Sequence, residues 1–457
     1  MSAMESIDLK AFNKALIVGL GKTGLSCARF LAQQGYQVAV IDSRETPPCL
    51  DELRESVPNA AVFLGGFDPQ VFAMAETIVL SPGVSPNEPL VVEALARKIP
   101  VIGDIEIFAH YARAPVIGIT GSNGKSTVTT LVADMLKAAG YQIGVGGNLG
   151  TPALELLSEA KKDYFVLELS SFQLETTHTL NCAASVILNL SPDHIDRHGA
   201  LISYAQAKLR ITHGTGWVVI NDDETLPVEI DCTGRKVMHY GLSTNEKSAL
   251  TVGQYQGEEW IIAETEPVLP VSQLKLRGRH NLSNILAALS LVKAVGVSLK
   301  DVIEPLKAFT GLPHRMQAVT EQNGIHWIND SKATNVGATI AALSGLDGKS
   351  VLIAGGQGKG ADFSPLKEVI QAKARAVVLL GEDAQQIAAA IGDKVPVVCV
   401  TTMREAVKEA AQLAVSGDNV LLSPACASFD MFSSYENRGN VFVSEVHALA
   451  TEQEVQE

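Results

Sequence analysis

The sequence has few basic residues, no closely spaced cysteines and no long apolar run. Its 457 residues include 36 Lys plus Arg against 50 Asp plus Glu, a formal net charge of −14. Such a surface repels the phosphates of a long nucleic acid, so we expect no DNA or RNA partner. No uncharged apolar stretch reaches the roughly 18 residues of a membrane span, and the N-terminus lacks the pattern of a signal peptide. We expect neither an anchor nor a secretory leader.

The cysteines are scattered and form no CxxC pair, so the sequence supports neither a disulfide framework nor a zinc site. This pattern indicates a reducing cytoplasm. Hydrophobic residues make up 46% and charged residues 19%, a composition typical of a globular chain. At roughly 150 residues per domain, the length predicts about three domains. The cysteines are Cys27, Cys49, Cys182, Cys232, Cys399 and Cys426.

Short β-branched segments ending in Gly, Ser or Asn recur, each followed by a helical pattern. This alternation predicts an α/β fold with parallel sheets covered by helices. Gly-bearing strand ends near residues 19, 118 and 355 predict three nucleotide-binding-type units in series, with boundaries near residues 103 and 311. The segments GWVVIN, LTVGQY and EEWIIAE predict a small antiparallel addition to the middle unit.

The strongest chemical signal is PVIGITGSNGKSTVTTLVADMLKAAG, residues 115–140. It indicates a strand, a Gly-rich turn and an amphipathic helix, with Lys125 and Ser126 at the helix N-terminus. There backbone N–H groups and the helix dipole favour phosphate, a lysine can reach the β and γ oxygens, and a serine hydroxyl can ligate Mg²⁺. The general phosphate-loop pattern has Gly where this chain has Ile119, so we predict a variant loop, unlike that of an ordinary GTPase.

An earlier turn, ALIVGLGKTG, has Gly19, Gly21 and Gly24 in GxGxxG spacing, and a second strand ends at Asp42. This outline is typical of dinucleotide binding, so a nicotinamide-dependent oxidoreductase is one possible function. The glycines alternatively serve only a tight turn. The later phosphate loop favours a nucleotide-bearing substrate over NAD, with a non-catalytic nucleotide switch as a further alternative.

Motifs along nearly the whole chain, from residue 15 to residue 440, resemble those of the Mur ligases. The blocks INDSKATN and SPACASFD resemble those of a member that adds D-glutamate. The other blocks are GITGSNGKST, VLELSSFQLE, NLSPDHIDRH, AKLRI, GRHNLSN and GLPHR.

The resemblance implies three domains: a Rossmann-like UDP-sugar domain over 1–103, a central ATP-binding domain with a parallel and a small antiparallel sheet over 104–311, and a Rossmann-like amino-acid domain over 312–457. It implies that ATP phosphorylates the L-alanyl carboxylate of UDP-N-acetylmuramoyl-L-alanine and that the D-glutamate amine attacks the acyl phosphate. We expect a cytoplasmic monomer in peptidoglycan precursor synthesis, with ATP and two Mg²⁺ ions.

Roles in catalysis and nucleotide binding follow from the same resemblance. The implied catalytic residues are Lys125, His194, Lys208 and Lys359. The implied ATP-binding residues are Gly121, Ser122, Asn123, Gly124, Lys125, Ser126, Thr127, Asn281, Asn284, Arg315, Asp330 and Lys332. The implied Mg²⁺ ligands are Ser126, Glu168, His194 and Lys208, the last as a carbamate formed with CO₂.

Several of these residues have ordinary alternatives. An ionised Glu168 on a buried strand needs a partner, but it also fits a strand end in solvent. By spacing alone, Lys208 is a helical lysine on a solvated face. The carbamate is chemically consistent, because only a neutral amine attacks CO₂ and desolvation lowers the pKa of a lysine. His198 receives no role, and we expect it at the surface.

Substrate contacts complete the implied site. The expected UDP-sugar residues are Lys22, Thr23, Asp42, Ser43, Arg44, Ser81, Gly83, Asn148 and Gln173. The expected D-glutamate residues are Lys332, Thr334, Lys359, Ser428 and Tyr435. Tyr435 stands where relatives have Phe, so the expectation there rests on a backbone N–H contact and not on ring packing.

Overall fold

The computed structural model describes residues 11–158, 160–243, 247–276 and 278–454. These residues divide into two compact units. The first contains residues 11–190, Arg197–Leu274 and Ser283–Ala308, and the second contains Ser191–Asp196, Lys275–Leu282 and the chain from Phe309. Among the described residues, no helix combines the length and the apolar character that a membrane crossing requires.

The first sheet is parallel, with the order β3-β2-β1-β4-β5. The order reverses between β1 and β4, and in such sheets a ligand crevice lies there, outside the carboxyl ends of the strands. The strands are β1 Lys14–Val18, β2 Gln37–Asp42, β3 Ala61–Leu64, β4 Thr77–Leu80 and β5 Val101–Ile102. The helices are α1 Lys22–Gln33, α2 Leu50–Ser56, α3 Pro69–Ala73, α4 Pro89–Ala96 and α5 Asp104–Tyr111.

The second sheet is mixed, with the order β14-β13-β12-β11-β10-β9-β6-β8-β7. Its strands are β6 Val116–Thr120, β7 Ile143–Gly147, β8 Tyr164–Glu168, β9 Ala184–Ile187, β10 Trp217–Asn221, β11 Lys236–Tyr240, β12 Ser248–Tyr255, β13 Glu258–Ala263 and β14 Glu266–Pro270. The helices are α6 Lys125–Ala138, α7 Ser171–Leu174, α8 Ile195–His198, α9 Leu201–Leu209, α10 Arg279–Ala294 and α11 Ile303–Ala308. Strand β6, between β9 and β8 in the parallel part, is buried throughout, as expected for a strand covered on both faces.

The predicted antiparallel addition is confirmed for β12, β13 and β14, but these strands extend the main sheet instead of forming a separate one. The segment GWVVIN, which contains β10, was expected to be antiparallel. This expectation was wrong, because β10 pairs in parallel with β9 and β11. Helix α9 between β9 and β10 makes the crossover that a parallel return requires. Periodicity identifies a strand without fixing the direction of its neighbour.

The third sheet lies in the second unit and has the order β15-β16-β20-β17-β18-β19, parallel except for β15. Helices cover its two faces, each with its own apolar cluster. The strands are β15 Gln317–Gln322, β16 Ile325–Asn329, β17 Ser350–Ala354, β18 Ala374–Leu379, β19 Val397–Cys399 and β20 Asn419–Leu422. The helices are α12 Val336–Ser344, α13 Leu366–Lys373, α14 Ala384–Ile391, α15 Met403–Leu413 and α16 Tyr435–Glu454.

Candidate active site

The first candidate site is a cleft of about 400 Å³ at the carboxyl ends of β1, β2 and β4. Gly24 lies so close to the carbonyl oxygen of Gly19 that a Cβ atom would collide with it. The Ser81 hydroxyl donates to the same oxygen at 2.7 Å, so the turn depends on glycine for close packing. Seven of the nine residues expected to bind the UDP-sugar line this cleft: Lys22, Thr23, Asp42, Ser43, Arg44, Ser81 and Gly83.

The Asp42 carboxylate at the end of β2 is engaged within the protein. Oδ2 accepts from the Leu20 N–H and from Arg44 Nη2, both at 2.7 Å, and Oδ1 accepts from Arg44 Nε at 2.8 Å. Burial is the largest influence and opposes ionisation, but the bonds from Arg44 and Leu20 together lower the pKa of Asp42 to about 2. NAD-binding proteins use such an acid for the ribose. Here it holds the half-exposed Arg44 guanidinium at the cleft, which favours a diphosphate.

The second candidate site is the turn between β6 and α6, and the structure confirms that the helix begins at Lys125. Gly121 and Gly124 have φ angles of 153° and 82°, a region that glycine adopts readily. Lys125 Nζ donates to the carbonyl oxygens of Gly121 and Ser122 at 2.9 and 2.8 Å. A positive charge is thus held against a loop at a helix N-terminus, an arrangement that suits phosphate.

Asn189 bonds this loop through its side chain and its carbonyl. The sequence analysis did not identify this residue. Its Nδ2 donates to the Asn123 carbonyl at 3.0 Å, its Oδ1 accepts from the Asn123 N–H at 2.8 Å, and its carbonyl accepts from the Ser122 N–H at 3.0 Å. Ile119, where the general pattern has glycine, is a buried residue of β6, so the strand continues to the edge of the loop. A polar residue just past the neighbouring β9 was the available signal.

Two predicted ATP-binding asparagines lie on α10, one turn apart. A Cβ atom at Gly124 would collide with the side-chain oxygen of Asn284, so Asn284 lies directly against the phosphate loop. Asn281 is buried. Thr127, also predicted to contact ATP, is buried in the first turn of α6.

Glu168 ends β8 beside the start of α6 and is 3% exposed. Its Oε2 accepts from the Ser126 hydroxyl at 2.5 Å, and its Oε1 accepts from Asn148 Nδ2 at 2.6 Å. The alternative of a strand end in solvent is therefore wrong. A hydroxyl and a carboxylate next to a phosphate loop are the oxygen ligands that Mg²⁺ prefers. Within the described residues, no group of three or more His, Cys, Asp or Glu side chains forms a ready-made metal site.

Lys208 is in helix α9, as predicted, but its side chain does not lie on a solvated face. The residue is 1% exposed. Its Nζ donates to the Gly121 carbonyl at 2.8 Å and lies 3.4 Å from the Thr120 hydroxyl. The same carbonyl accepts from Lys125, so two lysines meet at one oxygen of the phosphate loop.

His198 is buried, and the expectation of a surface residue was wrong. Its side chain is 3% exposed and lies with Nδ1 3.3 Å from the Glu175 carboxylate. Nε2 lies 3.0 Å from the Ser171 hydroxyl, and the ring packs between Phe172 and Tyr204. Its neighbours come from α7 and α9, which only tertiary folding brings together.

Tyr204 is a further residue that the sequence analysis missed. Its hydroxyl lies 3.2 Å from the Ser122 hydroxyl, and Lys208 Nζ lies 4.5 Å from its ring centroid. Residues four apart share one face of a helix, so its spacing from Lys208 in α9 was a signal for this contact.

Gln173 was expected to contact the UDP-sugar, and its side chain is buried in internal bonds. Nε2 donates to Asp104 Oδ2 at 2.9 Å, and Oε1 accepts from the Ser170 N–H at 3.1 Å. Burial raises the pKa of Asp104 to about 6. These bonds give Gln173 a structural role within the first unit, and its contact with the UDP-sugar stays a prediction.

The second unit contains a further group of predicted residues at the carboxyl ends of β16 and β20. Asp330 follows β16 and accepts from the Ser423 hydroxyl at 3.0 Å and the Met316 N–H at 3.2 Å. Burial, the dominant cause, raises the pKa of Asp330 to about 7 against these bonds and the nearby Arg315 charge. The acid predicted to face the nucleotide is therefore poised to change charge near neutral pH.

Lys332 packs on the ring of Tyr435, with Nζ 3.8 Å from the ring centroid. The Ser331 hydroxyl donates to the Tyr435 carbonyl at 2.8 Å. Arg438 is 2% exposed, donates to Ser331, and bonds the Cys426 carbonyl at 3.1 Å. The Tyr435 ring therefore contacts Lys332, and how Tyr435 meets D-glutamate stays a prediction.

The remaining predicted D-glutamate residues are in the same unit. Lys359 has a φ of 53° and lies 5.6 Å from the Phe429 ring centroid. Ser428 is buried, and the Thr334 N–H donates to the Lys332 carbonyl at 2.8 Å.

His194 also belongs to the second unit, in the segment Ser191–Asp196. It has a φ of 54°, and its half-exposed ring lies with Nε2 3.7 Å from the Asp193 carboxylate.

Comparison with known families accounts for all three sheets. Residues 13–103 match the Mur ligase MurD-like N-terminal domain, residues 119–292 the Mur ligase middle domain, and residues 314–426 the Mur ligase glutamate ligase domain. The chain belongs to the Mur ligase family. The three matched segments contain β1 to β5, β7 to β14 and β15 to β20.

Named Mur ligases match nearly the whole chain. It is 52% identical over 437 residues to the UDP-N-acetylmuramoylalanine--D-glutamate ligase of Nitrosococcus oceani, covering 95% of this chain and 96% of that protein. The enzyme of the same name from Pseudomonas syringae pv. syringae is 49% identical over 439 residues, with 95% and 98% covered. The UDP-N-acetylmuramate-alanine ligase of Thermotoga maritima has the same fold, with a TM-score of 0.59, 19% identity, and 95% and 99% covered.

Proposed function

We propose that this Mur ligase joins D-glutamate to UDP-N-acetylmuramoyl-L-alanine in peptidoglycan precursor synthesis, with conversion of ATP to ADP and phosphate. The observation that carries the proposal is the meeting of Lys125 and Lys208 at the Gly121 carbonyl, beside the Ser126–Glu168 pair. The near-full-length similarity to ligases of this name supports the choice of substrates. The free cysteines are compatible with a cytoplasmic reaction.

The chemistry requires activation of a carboxylate, which is a poor electrophile. Transfer of the γ-phosphoryl group to the L-alanyl carboxylate gives an acyl phosphate. Attack by the neutral amine of D-glutamate then forms the amide and releases phosphate and a proton. The phosphates are bound and oriented at the start of α6, by the backbone from Gly124 to Ser126, and Lys125 offsets the negative charge that develops during transfer.

The residues fit a magnesium ion at the phosphate loop. The buried Glu168 carboxylate takes its hydrogen bonds from two neutral groups, the Ser126 hydroxyl and the Asn148 amide. A buried carboxylate is stabilised by a cation, and Ser126 and Glu168 would hold one through oxygen atoms. A bound Mg²⁺ would supply positive charge to the transferring phosphoryl group.

A carbamate on Lys208 would resolve an electrostatic conflict. Two ammonium groups at the Gly121 carbonyl repel each other, and one of them is almost fully buried. The ammonium first loses a proton to give the neutral amine, whose reaction with CO₂ forms an N–C bond and releases a second proton. A positive charge is thereby replaced with a negative one. We propose that this carbamate is a ligand of a second Mg²⁺.

The remaining roles are proposed in the same way. Lys332, Thr334, Lys359, Ser428 and Tyr435 are assigned to D-glutamate, and Asn281, Asn284, Arg315 and Asp330 to ATP. The cleft beside Arg44 is assigned to the uridine diphosphate. We retain 1–103, 104–311 and 312–457 as the proposed domain boundaries and a monomer as the proposed state.

One assay tests the proposal. The purified protein is incubated with ATP, Mg²⁺, UDP-N-acetylmuramoyl-L-alanine and D-glutamate, and the nucleotide-linked product is weighed by mass spectrometry. We expect phosphate release that depends on both carboxylate substrates, and L-glutamate as the matched control should give far less product. Phosphate release independent of D-glutamate, or NADH oxidation without ligation, would reject the proposal.

A further inference from the structure

Arg197 is a nearly buried arginine that bonds two separate segments of the first unit. Its side chain is 10% exposed. Nη1 donates to the Pro82 carbonyl at 2.8 Å, and Nη2 donates to the Val84 carbonyl at 3.1 Å. Nε and Nη2 also donate to Glu175 Oε2 at 3.2 and 2.6 Å. One rigid guanidinium therefore joins the loop after β4 to the segment after α7.

The loop after β4 is a wall of the UDP-sugar cleft. Ser81, Pro82, Gly83 and Val84 all line that cleft. Gly83 stands between the two carbonyls that Arg197 holds, and glycine leaves the backbone many conformations. The two bonds from one planar group fix the distance and orientation of these carbonyls, so the shape of the wall depends on Arg197.

The other side of Arg197 is anchored beside the phosphate-loop site. Its guanidinium carbon lies 4.3 Å from the ring centroid of Phe172 in α7. The Ser170 hydroxyl caps α7, two residues after Glu168 ends β8. Glu175, just past α7, also lies next to His198, with 3.3 Å between its Oε1 and the ring nitrogen. Arg197 thus rests on the segment that directly continues the strand bearing Glu168.

We propose that Arg197 is a positioning residue that sets the UDP-sugar cleft relative to the Glu168 strand end, and so determines the affinity for the nucleotide-sugar substrate. This inference rests on the proposed function. Arg197 acts through the Pro82 and Val84 carbonyls and not by contact with the reacting atoms. A lysine cannot replace it, because one ammonium group does not reproduce the forked geometry of the guanidinium.

The test compares Arg197→Lys with Arg235→Lys in the full-length protein. Arg235 also donates to backbone carbonyls, those of Gly216 and Thr212, but it stands between β10 and β11. We expect Arg197→Lys to raise KM for UDP-N-acetylmuramoyl-L-alanine about tenfold, equivalent to about 1.4 kcal/mol. KM for ATP and for D-glutamate should change less than twofold, and Arg235→Lys should leave all three unchanged.

Binding of the nucleotide-sugar without ATP, measured by calorimetry, should weaken by the same factor. Glu175→Gln keeps the volume of the anchor but removes its charge, so it should shift the same constant in the same direction by a smaller factor. This second variant serves if Arg197→Lys does not fold. Normal affinity in a folded Arg197→Lys variant, or an equal rise in all three KM values, overturns the inference. A wild-type protein without ligase activity rejects the proposed function instead.

Discussion

The two glycine-rich turns of the first unit use similar backbones for different electrostatic purposes. Each follows a buried parallel strand and opens a helix. At the first turn, the acid that typifies dinucleotide binding lines the cleft but is paired with Arg44. At the second, two lysines meet at one carbonyl. The glycines allow close packing of the backbone in both turns, and the charged side chains around each turn give it a different electrostatic environment.

The largest effect is expected from Lys125→Ala at the second turn. This change removes the charge that we propose faces the transferring phosphoryl group, and we expect turnover to fall about a hundredfold or more. Phosphate release measures it. Circular dichroism and nucleotide-sugar binding should match those of the wild-type protein, because the first turn is untouched. Near-normal turnover in the folded variant would refute the assignment of the phosphate loop.

The next prediction concerns Lys208, the other lysine at the Gly121 carbonyl. Lys208→Ala should lose most activity and recover part of it in acetate, whose oxygens fill the vacated space. Lys208→Arg should remain inactive with acetate, because a guanidinium keeps its charge and forms no carbamate. Initial rates with and without acetate measure this. Full activity of Lys208→Arg in bicarbonate-depleted buffer would exclude the carbamate and leave the ligase assignment intact.

At the first turn, Arg44→Gln should weaken binding of the nucleotide-sugar about tenfold, since a charged hydrogen bond to phosphate contributes about 1.5–3 kcal/mol. KM for ATP should not change. Titration with UDP gives the dissociation constant, and NADH is the matched control ligand. Tight NADH binding that UDP does not displace would show that the first turn binds a dinucleotide, and would reject its assignment to the nucleotide-sugar.

Tyr435 provides a smaller effect in the second unit. Tyr435→Phe keeps the ring under Lys332 and should leave KM for D-glutamate nearly unchanged, whereas Tyr435→Leu removes the cation–π contact. Such contacts contribute about 0.5–1 kcal/mol at partly exposed sites, so a rise of about twofold to fivefold in that KM is expected. Equal KM values in the two variants would show that the ring does not position Lys332.

The smallest effect concerns stability against pH. The pKa of Asp42 is lowered to about 2 in the folded protein, so its contribution to the free energy of unfolding is complete above pH 4. It decreases as the pH falls from about 4 to about 2, by at most about 2 kcal/mol. Urea unfolding of wild type and Asp42→Asn should therefore converge toward pH 2. A difference between the two that is independent of pH would contradict the ion pair with Arg44.

Local patterns predicted much of this molecule, and long-range contacts account for what they missed. The start of α6 at Lys125 follows from a strand, a glycine turn and helical spacing within residues 115–140. Burial of Lys208 and His198 does not follow from spacing, because their neighbours come from strands and helices distant in sequence. The Asp42–Arg44 bonds lie within three residues, but the acid alone is equally compatible with a ribose contact.

The order in which the ribosome makes the strands determines which sheet can be completed first. Strand β6, which leads into the phosphate loop, pairs with β8 and β9, and β16 pairs with β20, the last strand to be synthesised. In contrast, β12, β13 and β14 pair with immediate neighbours in the chain and can form early. A chain growing from its N-terminus therefore completes the first sheet, with its proposed nucleotide-sugar cleft, before the third sheet, with its proposed amino-acid site. A half-made enzyme cannot complete the ligation.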